Sequence, residues 1–181
     1  MILNAEQFGR HFVEFKSSAT RIETLEKYTV LEEKDNFSLY LTGASPPPQR
    51  NEEWAGNIRE CVANGKYMGR VHIISSTLTP YLQFEIDWYY AINSAAGEDI
   101  RFIFRDDVPD ITYADTWIFD DEIVVDLSYD NDGCLLYMNE NDDPVRLEQA
   151  KAAWAEFYRR SFPLPELLAK VRGSNLDVPR T

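Results

Sequence analysis

Residues 113–138 read YADTWIFDDEIVVDLSYDNDGCLLYM, three apolar runs with only two short acidic breaks between them. TWIF, EIVVDL and CLLYM carry the β-branched and aromatic residues of strands. Asp120 and Asp121 separate the first two, and Asn131-Asp132-Gly133 separates the second and third. Asp and Asn bond back to their own backbone in turns, and Asp-Gly supplies positive φ, so both breaks are tight. Strands joined this closely must run antiparallel. Upstream, KYMGRVHIIS (66–75) and IRFIF (100–104) are also β-rich, but a helical segment separates them. It opens at Thr79-Pro80, with proline at the first helical position where no N–H is missed, and continues through Tyr81, Leu82, Glu85, Trp88 and Tyr89. After CLLYM, Asp143-Pro144 opens a long helix whose apolar face holds Leu147, Ala150, Trp154, Phe157 and Tyr158. From residue 66 the order is therefore β-α-β-β-β-β-α. The expected fold is α/β of the layered α+β kind, a mixed β-sheet flanked by helices.

The first 65 residues add helices to this core. Asn4 and Gln7 form a capping-box pair ahead of Phe8, Phe12 and Phe15, predicting a helix to about Phe15. TRIETL (20–25) reads as a short strand, and 29–41 fits helix or strand. GASPPPQR (43–50) breaks any regular element. Asn51 caps the next helix, with Trp54, Ile58, Cys61 and Val62 at helical spacing, and Asn64-Gly65 ends it. PLPELLAKVRG reads as a helical tail. One domain is expected, with residues 1–50 as an N-terminal extension and proline-rich linker, 51–162 as the core, and 163–181 as the tail.

Charge narrows the partners. The chain has 181 residues, with Lys+Arg 18 and Asp+Glu 31, for a net charge of −13. That charge opposes nucleic-acid binding, which rests on cations displacing counterions from the phosphate backbone. No apolar run approaches the length of a membrane helix, and the N-terminus lacks a secretory pattern. The expectation is a cytoplasmic protein with no direct nucleic-acid or membrane partner, open to a basic protein partner or a small-molecule ligand. Cys61 and Cys134 are expected as small buried hydrophobes, not as a disulfide or zinc framework.

No metal-binding, phosphate-binding or nucleophile-elbow motif occurs, so no metal and no cofactor are expected. His72 alternates with Val71 and Ile73 and is expected to face solvent or a wet pocket. His11 reads as an ordinary surface residue. Ser75-Ser76 lack the glycines of a serine elbow. Asp120, Asp121, Glu122, Asp130 and Asp132 could gather a hard cation, but turn formation accounts for them without one. Glu98 and Asp99 beside Arg101 offer either an internal ion pair or a ligand anchor. Tyr81, Trp88, Tyr89, Tyr90, Tyr113 and Trp117 are enough aromatics to line a pocket, or to fill a core.

Two resemblances bear on these residues. SSATRIETLEKY (17–28), RVHIISSTLTPYLQFE (70–85), AAGEDIR (95–101) and DTWIFDDEIVV (115–125) resemble an actinobacterial, streptomycete-type family of small proteins of unassigned function. Its members are often encoded beside Xre-type helix-turn-helix regulators. The family usually has a bulky residue where Thr20 stands. Residues 66–160 also resemble one half of a degenerate phospholipase D-like fold. That fold carries His-x-Lys, four residues, Asp, and then a strand ending in Gly-Ser-x-Asn. Here Tyr113 takes the His place, Asp115 the Lys place, Asp120 the Asp place and Ser128 the Ser place, with Asp130 and Asn131 near the Asn place. The nucleophile and the phosphate-holding lysine are both missing, so the likeness implies a scaffold without phosphodiesterase activity.

Together these readings favour a non-catalytic, regulatory module that binds a ligand or a basic partner such as a helix-turn-helix regulator. Its expected ligand site is Tyr81, Trp88, Arg101, Tyr113, Trp117 and Ser128. The alternative is a cofactor-free enzyme of secondary metabolism using acid–base chemistry at His72, Glu85 or Asp115 in an aromatic pocket. Either way, a chromogenic bis-phosphodiester should not be turned over. Turnover abolished by altering Tyr113 or Asp115 would contradict the scaffold reading.

Overall fold

The computed structural model describes residues 1–173. The chain forms an eight-stranded mixed sheet flanked by helices. The elements are β1 (Ile2–Leu3), α1 (Ala5–Glu14), β2 (Ser18–Glu23), α2 (Lys34–Leu41), α3 (Glu52–Ala63), β3 (Tyr67–Ile74), α4 (Pro80–Phe84) and α5 (Ala91–Ala96). They continue with β4 (Asp99–Phe104), β5 (Thr116–Phe119), β6 (Ile123–Tyr129), β7 (Leu135–Asn141), α6 (Pro144–Arg160), β8 (Phe162–Pro163) and α7 (Leu164–Gly173). A π-helical stretch, Glu85–Tyr90, joins α4 to α5. The strand order is β1-β7-β6-β5-β2-β3-β4-β8, with β2, β3 and β4 parallel and every other neighbour antiparallel. Among the described residues no helix is long and apolar enough to cross a membrane.

The signals at element ends act as expected. Asn4 and Gln7 close a capping box on α1, Thr79 Oγ1 accepts from Leu82 N, and Asp143 Oδ1 accepts from Val145 N. Within the ambiguous 29–41, residues 31–33 form a 3-10 turn and 34–41 form α2, which packs Phe37 and Tyr40 against Tyr81, Phe84 and Trp88. Asn51 stands at the start of α3, but at φ 59° and without a capping bond; its side chain donates to Asn93 Oδ1 instead. Residues 1–50, expected to lie ahead of the core, supply β2, which sits between the parallel and antiparallel halves of the sheet.

Strand alternation gives the sheet two different faces. On one face α6 covers Ile22, Val71, Ile73 and Ile103, with Ile118 and Val124 further along. Ala150 and Ala153 let this helix lie close, and Phe157, fully buried, fills the remaining space. On the opposite face there are two separate apolar clusters. One, under α1 and α3, gathers Phe12, Phe15, Ile58, Trp117 and Phe119. The other gathers Phe84, Tyr90, Ile100, Phe102 and Leu167 under α4, the π stretch and α7. Between them the central strands present charged side chains: Arg21 and Glu23 on β2, and Arg70 with His72 on β3.

The acidic turns do more than reverse the chain. Asp120 and Asp121 both hold positive φ, at 56° and 57°. The Asp120 carboxylate also accepts from the backbone N–H groups of Lys16, Ser17 and Ser18, tying the β5–β6 turn to the entrance of β2. Slight burial works against the charged form, but these N–H donors outweigh it and hold the carboxyl at about 2, below its ordinary 3.8. A carboxyl lowered on folding stabilises the native state above its unfolded pKa, and the gain is lost as pH falls from about 4 towards 2. Asp120→Ala should cost about 1–2 kcal/mol at pH 7, from lost hydrogen bonds and left-handed backbone strain. Asp120→Asn tolerates the backbone but not the charge, so its urea-midpoint deficit should shrink as pH drops below 4. A deficit independent of pH would contradict the capping role.

Candidate functional site

Parallel pairing of β2 and β3 sets Arg21 opposite Arg70 and Glu23 opposite His72. Two guanidinium groups side by side in a sheet centre repel unless a carboxylate lies between them, and Glu23 does so. Its Oε1 is 3.0 Å from Arg21 Nη1 and its Oε2 3.0 Å from Arg70 Nη1. Glu98, just before β4, takes Arg70 Nε at 2.7 Å. Asp115, just before β5, lies 3.6 Å from Arg21 Nη2. Burial alone would push Glu23 up, but Arg21 and Arg70 reverse this and hold it at about 2. Arg21 also lies over the faces of Tyr28 and Trp117, at 5.4 and 5.6 Å from the ring centres.

His72 is fully buried here, not facing solvent or a wet pocket. Burial keeps its imidazole below the usual 6.5, against the pull of Glu23. The neutral ring donates from Nε2 to Leu25 O (2.7 Å) and accepts at Nδ1 from the Tyr90 hydroxyl (2.8 Å). That hydroxyl is also 3.1 Å from Glu23 Oε2, so its one proton is shared between two acceptors. Asp115 accepts from Thr24 N and from the Tyr28 hydroxyl. Burial raises its pKa, and Arg21 does not bring it back.

Above this network opens a cavity of about 730 Å³. Its floor holds Arg21, Glu23 and Arg70, and its walls include Trp54, Trp117, Tyr81 and Leu127. The π-helical stretch delivers Glu85, Tyr89 and Tyr90. A π-turn is wider than an α-turn, so positions four and five apart share a face. Glu85 is 7% exposed, and its Oε2 has no hydrogen-bond partner. Burial, then Glu23 and Glu33, raise its pKa well above the ordinary carboxyl value. Arg21 Nε is likewise buried without a partner. Cys134 and Gly133 stand on the rim, and both cysteines are partly exposed instead of buried.

The expected site residues do not all meet here. Tyr81, Glu85 and Trp117 line the cavity, while His72 and Asp115 lie in the network beside it. Trp88 does not line it and is packed against Tyr40 and Phe84. Arg101 points to the opposite face of the sheet, where it donates to Ser161 Oγ and Ser161 O at 2.8 and 2.9 Å. It is only 3.9 Å from Asp99, and Glu98 serves Arg70 instead. Tyr113 packs on Phe157, and Ser128 alternates onto the same α6 side. The expected convergence of Tyr113, Asp115 and Ser128 with His72 or Arg101 is therefore not formed. Strand parity separates them, because Asp115 and Arg101 lie on opposite faces. His11, expected at the surface, stacks on Phe119 at 5.1 Å and bonds Glu140 Oε2 at 3.1 Å. Among the described residues no group of three or more His, Cys, Asp or Glu is placed to hold a metal ion.

A family model described as a domain of unknown function (DUF6879) matches residues 6–169, and the chain belongs to that family. No curated protein matches the sequence.

Sequence reasoning passed over Arg21, Glu23 and Arg70. Their signal was a period-two polar face in otherwise apolar strands, TRIE and GRVHII. Removing the carboxylate that joins two buried guanidiniums leaves both undercompensated. Glu23→Gln should therefore destabilise the fold by about 3–5 kcal/mol, measured by urea unfolding at neutral pH. A cost under about 1 kcal/mol, the range of an exposed pair, would show that the bridge is not structurally coupled.

Proposed function

We propose that this DUF6879 protein is a small-molecule-binding module whose ligand occupies the cavity over Arg21, Glu23 and Arg70. The observation that carries the reading is a pair of buried polar atoms on two residues that line that cavity, Arg21 Nε and Glu85 Oε2, neither with a hydrogen-bond partner among the described residues. Unsatisfied buried groups each cost about 1–3 kcal/mol, so they are retained where something else satisfies them. The volume falls within the range of ligand pockets, and aromatic walls with a few convergent polar groups are their usual lining. The ligand implied is amphipathic: a flat apolar body against Trp54 and Trp117, and a polar end at Glu85 and Arg21. The actinobacterial resemblance gives the setting, a regulator responding to a small molecule. The net charge of −13 suits a basic partner such as a helix-turn-helix protein.

Glu85 favours one second reading. A carboxyl whose pKa is raised by burial and by the neighbouring Glu23 and Glu33 is suited to general-acid work. Acid–base chemistry without a cofactor would use it, with His72 too buried to reach a ligand and Asp115 already bonded to Tyr28.

Cys134 on the rim reports occupancy. In a Cys61→Ser background, aromatic fragments that bind the cavity should slow maleimide labelling of Cys134 saturably and raise the melting temperature. A fragment library that stabilises the protein without ever protecting Cys134 would place binding elsewhere and overturn the proposal. Recovery of a protecting fragment unchanged after long incubation supports a binding module. Product formation lost in Glu85→Gln supports the enzyme.

A further inference from the structure

We infer that the ligand is an organic cation, an apolar or aromatic body carrying a protonated amine that sits against Glu85 and Glu33. The inference rests on the ligand-binding reading above and assigns the sign of the ligand's charge.

The charges around the cavity do not balance within the chain. Among the described residues, Arg21 and Arg70 are the only cationic side chains on its lining. Both are taken up: Glu23 bridges them, Glu98 takes Arg70 Nε, and Asp115 faces Arg21. Glu33 and Glu85 also line the cavity, and neither makes an ion pair with either arginine. Glu33 accepts from the Tyr81 hydroxyl at 2.7 Å, and the Oε2 of Glu85, which is 7% exposed, has no partner. Glu33 and Glu85 thus stand outside the ion pairs that the two guanidinium groups make.

The groups facing Glu85 make the remedy specific. They are Arg21 and Glu23 from β2, Glu33 from the turn before α2, Arg70 from β3, and the hydroxyls of Tyr81 and Tyr90. Burial, with Glu23 adding to it, raises both Glu33 and Glu85, against the Tyr81 hydroxyl at Glu33 and the pull of Arg70 and Arg21, so both carboxyls are harder to ionise than in water. A ligand ammonium supplies the missing positive charge directly. It enters already protonated, and the proton of Glu85 leaves to solvent. Trp54, Tyr81 and Tyr89 line the cavity, and the face of an aromatic ring attracts a cation and not an anion. A carboxylate ligand would find Arg21 Nε as its one unpartnered buried donor while lying against Glu33 and Glu85. A neutral ligand would leave the imbalance in place.

Matched amine, carboxylate and uncharged derivatives on phenyl, naphthyl and indole bodies test the sign, titrated calorimetrically into the whole chain. On at least one body the amine should bind about ten-fold or more tighter than its two partners, the size of a single desolvated charge contact. Its binding heat should vary with the ionisation heat of the buffer, reporting proton release. Glu85→Gln should erase the amine's advantage over the uncharged compound; Glu33→Gln provides the same readout if the first variant fails to fold. Equal affinities, or tightest binding by a carboxylate, with Cys134 protected, would overturn the cation and leave the cavity reading standing. No saturable binding and no Cys134 protection by any member would remove both.

Discussion

Glu23 is the point on which the rest of the structure turns. The register of β2 against β3 puts two arginines at one level in the middle of the sheet, and only a carboxylate between them makes that arrangement tenable. A buried ion pair is weak grounds for stability, because desolvating its charges costs about what their attraction returns. An apolar Leu or Met at positions 21 and 70 would have joined the two clusters on that face into one continuous core. The charged strip keeps them apart, and the helices above cannot close over it. The cavity follows from that separation: α1 and α3 dress one half of the face, α4, the π stretch and α7 dress the other, and the space between opens over the arginines. A costly feature held at the floor of a large cavity with aromatic walls is the pattern expected of a site.

The π-helical stretch is the second device. A continuous α-helix from Pro80 would set Trp88 and Glu85 on one stripe with Tyr81. Widening the turn over Glu85–Tyr90 swings Trp88 into the packing with Tyr40 and Phe84, and presents Glu85, Tyr89 and Tyr90 together. The carboxyl then hangs over a floor that already holds Glu23, and its raised pKa is a consequence of placement more than of its own contacts.

Much of the fold was legible, because turn and cap chemistry is local. Asp120-Asp121, Asn131-Asp132-Gly133, Thr79-Pro80 and Asp143-Pro144 each act within a few residues, and the two kinds of connection between strands dictate a mixed sheet. The two-residue strands β1 and β8 were invisible, since no periodicity fits in two positions. The site was harder, because face assignment needs the sheet order. Arg21 and Glu23 stand in a short strand whose place in the sheet its sequence does not give, and β2 is central. Arg101 and Asp115 both stand near acids in sequence, but parity sends them to opposite faces. The π stretch has no recognisable sequence mark, so Trp88 and Glu85 could not have been told apart by spacing.

The same polar strip also fixes the mouth of the cavity. His72 holds Leu25 O from below, Glu26 accepts from Ser75 N and Oγ, and Thr79 donates to Glu26 O. Asp115 takes Thr24 N and the Tyr28 hydroxyl. Residues 24–28 are thereby pinned to β3 and β5. The next residue, Thr29, bonds Gly133 O through its N–H and Asp132 O through its hydroxyl. Gly133 itself, at φ 81°, comes so close to Lys27 that a Cβ there would lie 2.5 Å from its carbonyl oxygen. The segment 24–29, the turn at Gly133 and the strands beneath are thus joined by hydrogen bonds within the chain. A mouth built in this way has little ordering left to do on binding, and the free energy of contact is not spent on assembling the site. The unpaired atoms at Arg21 and Glu85 belong to residues held by the same frame, so under the ligand-binding reading proposed above they would act by position as well as by charge.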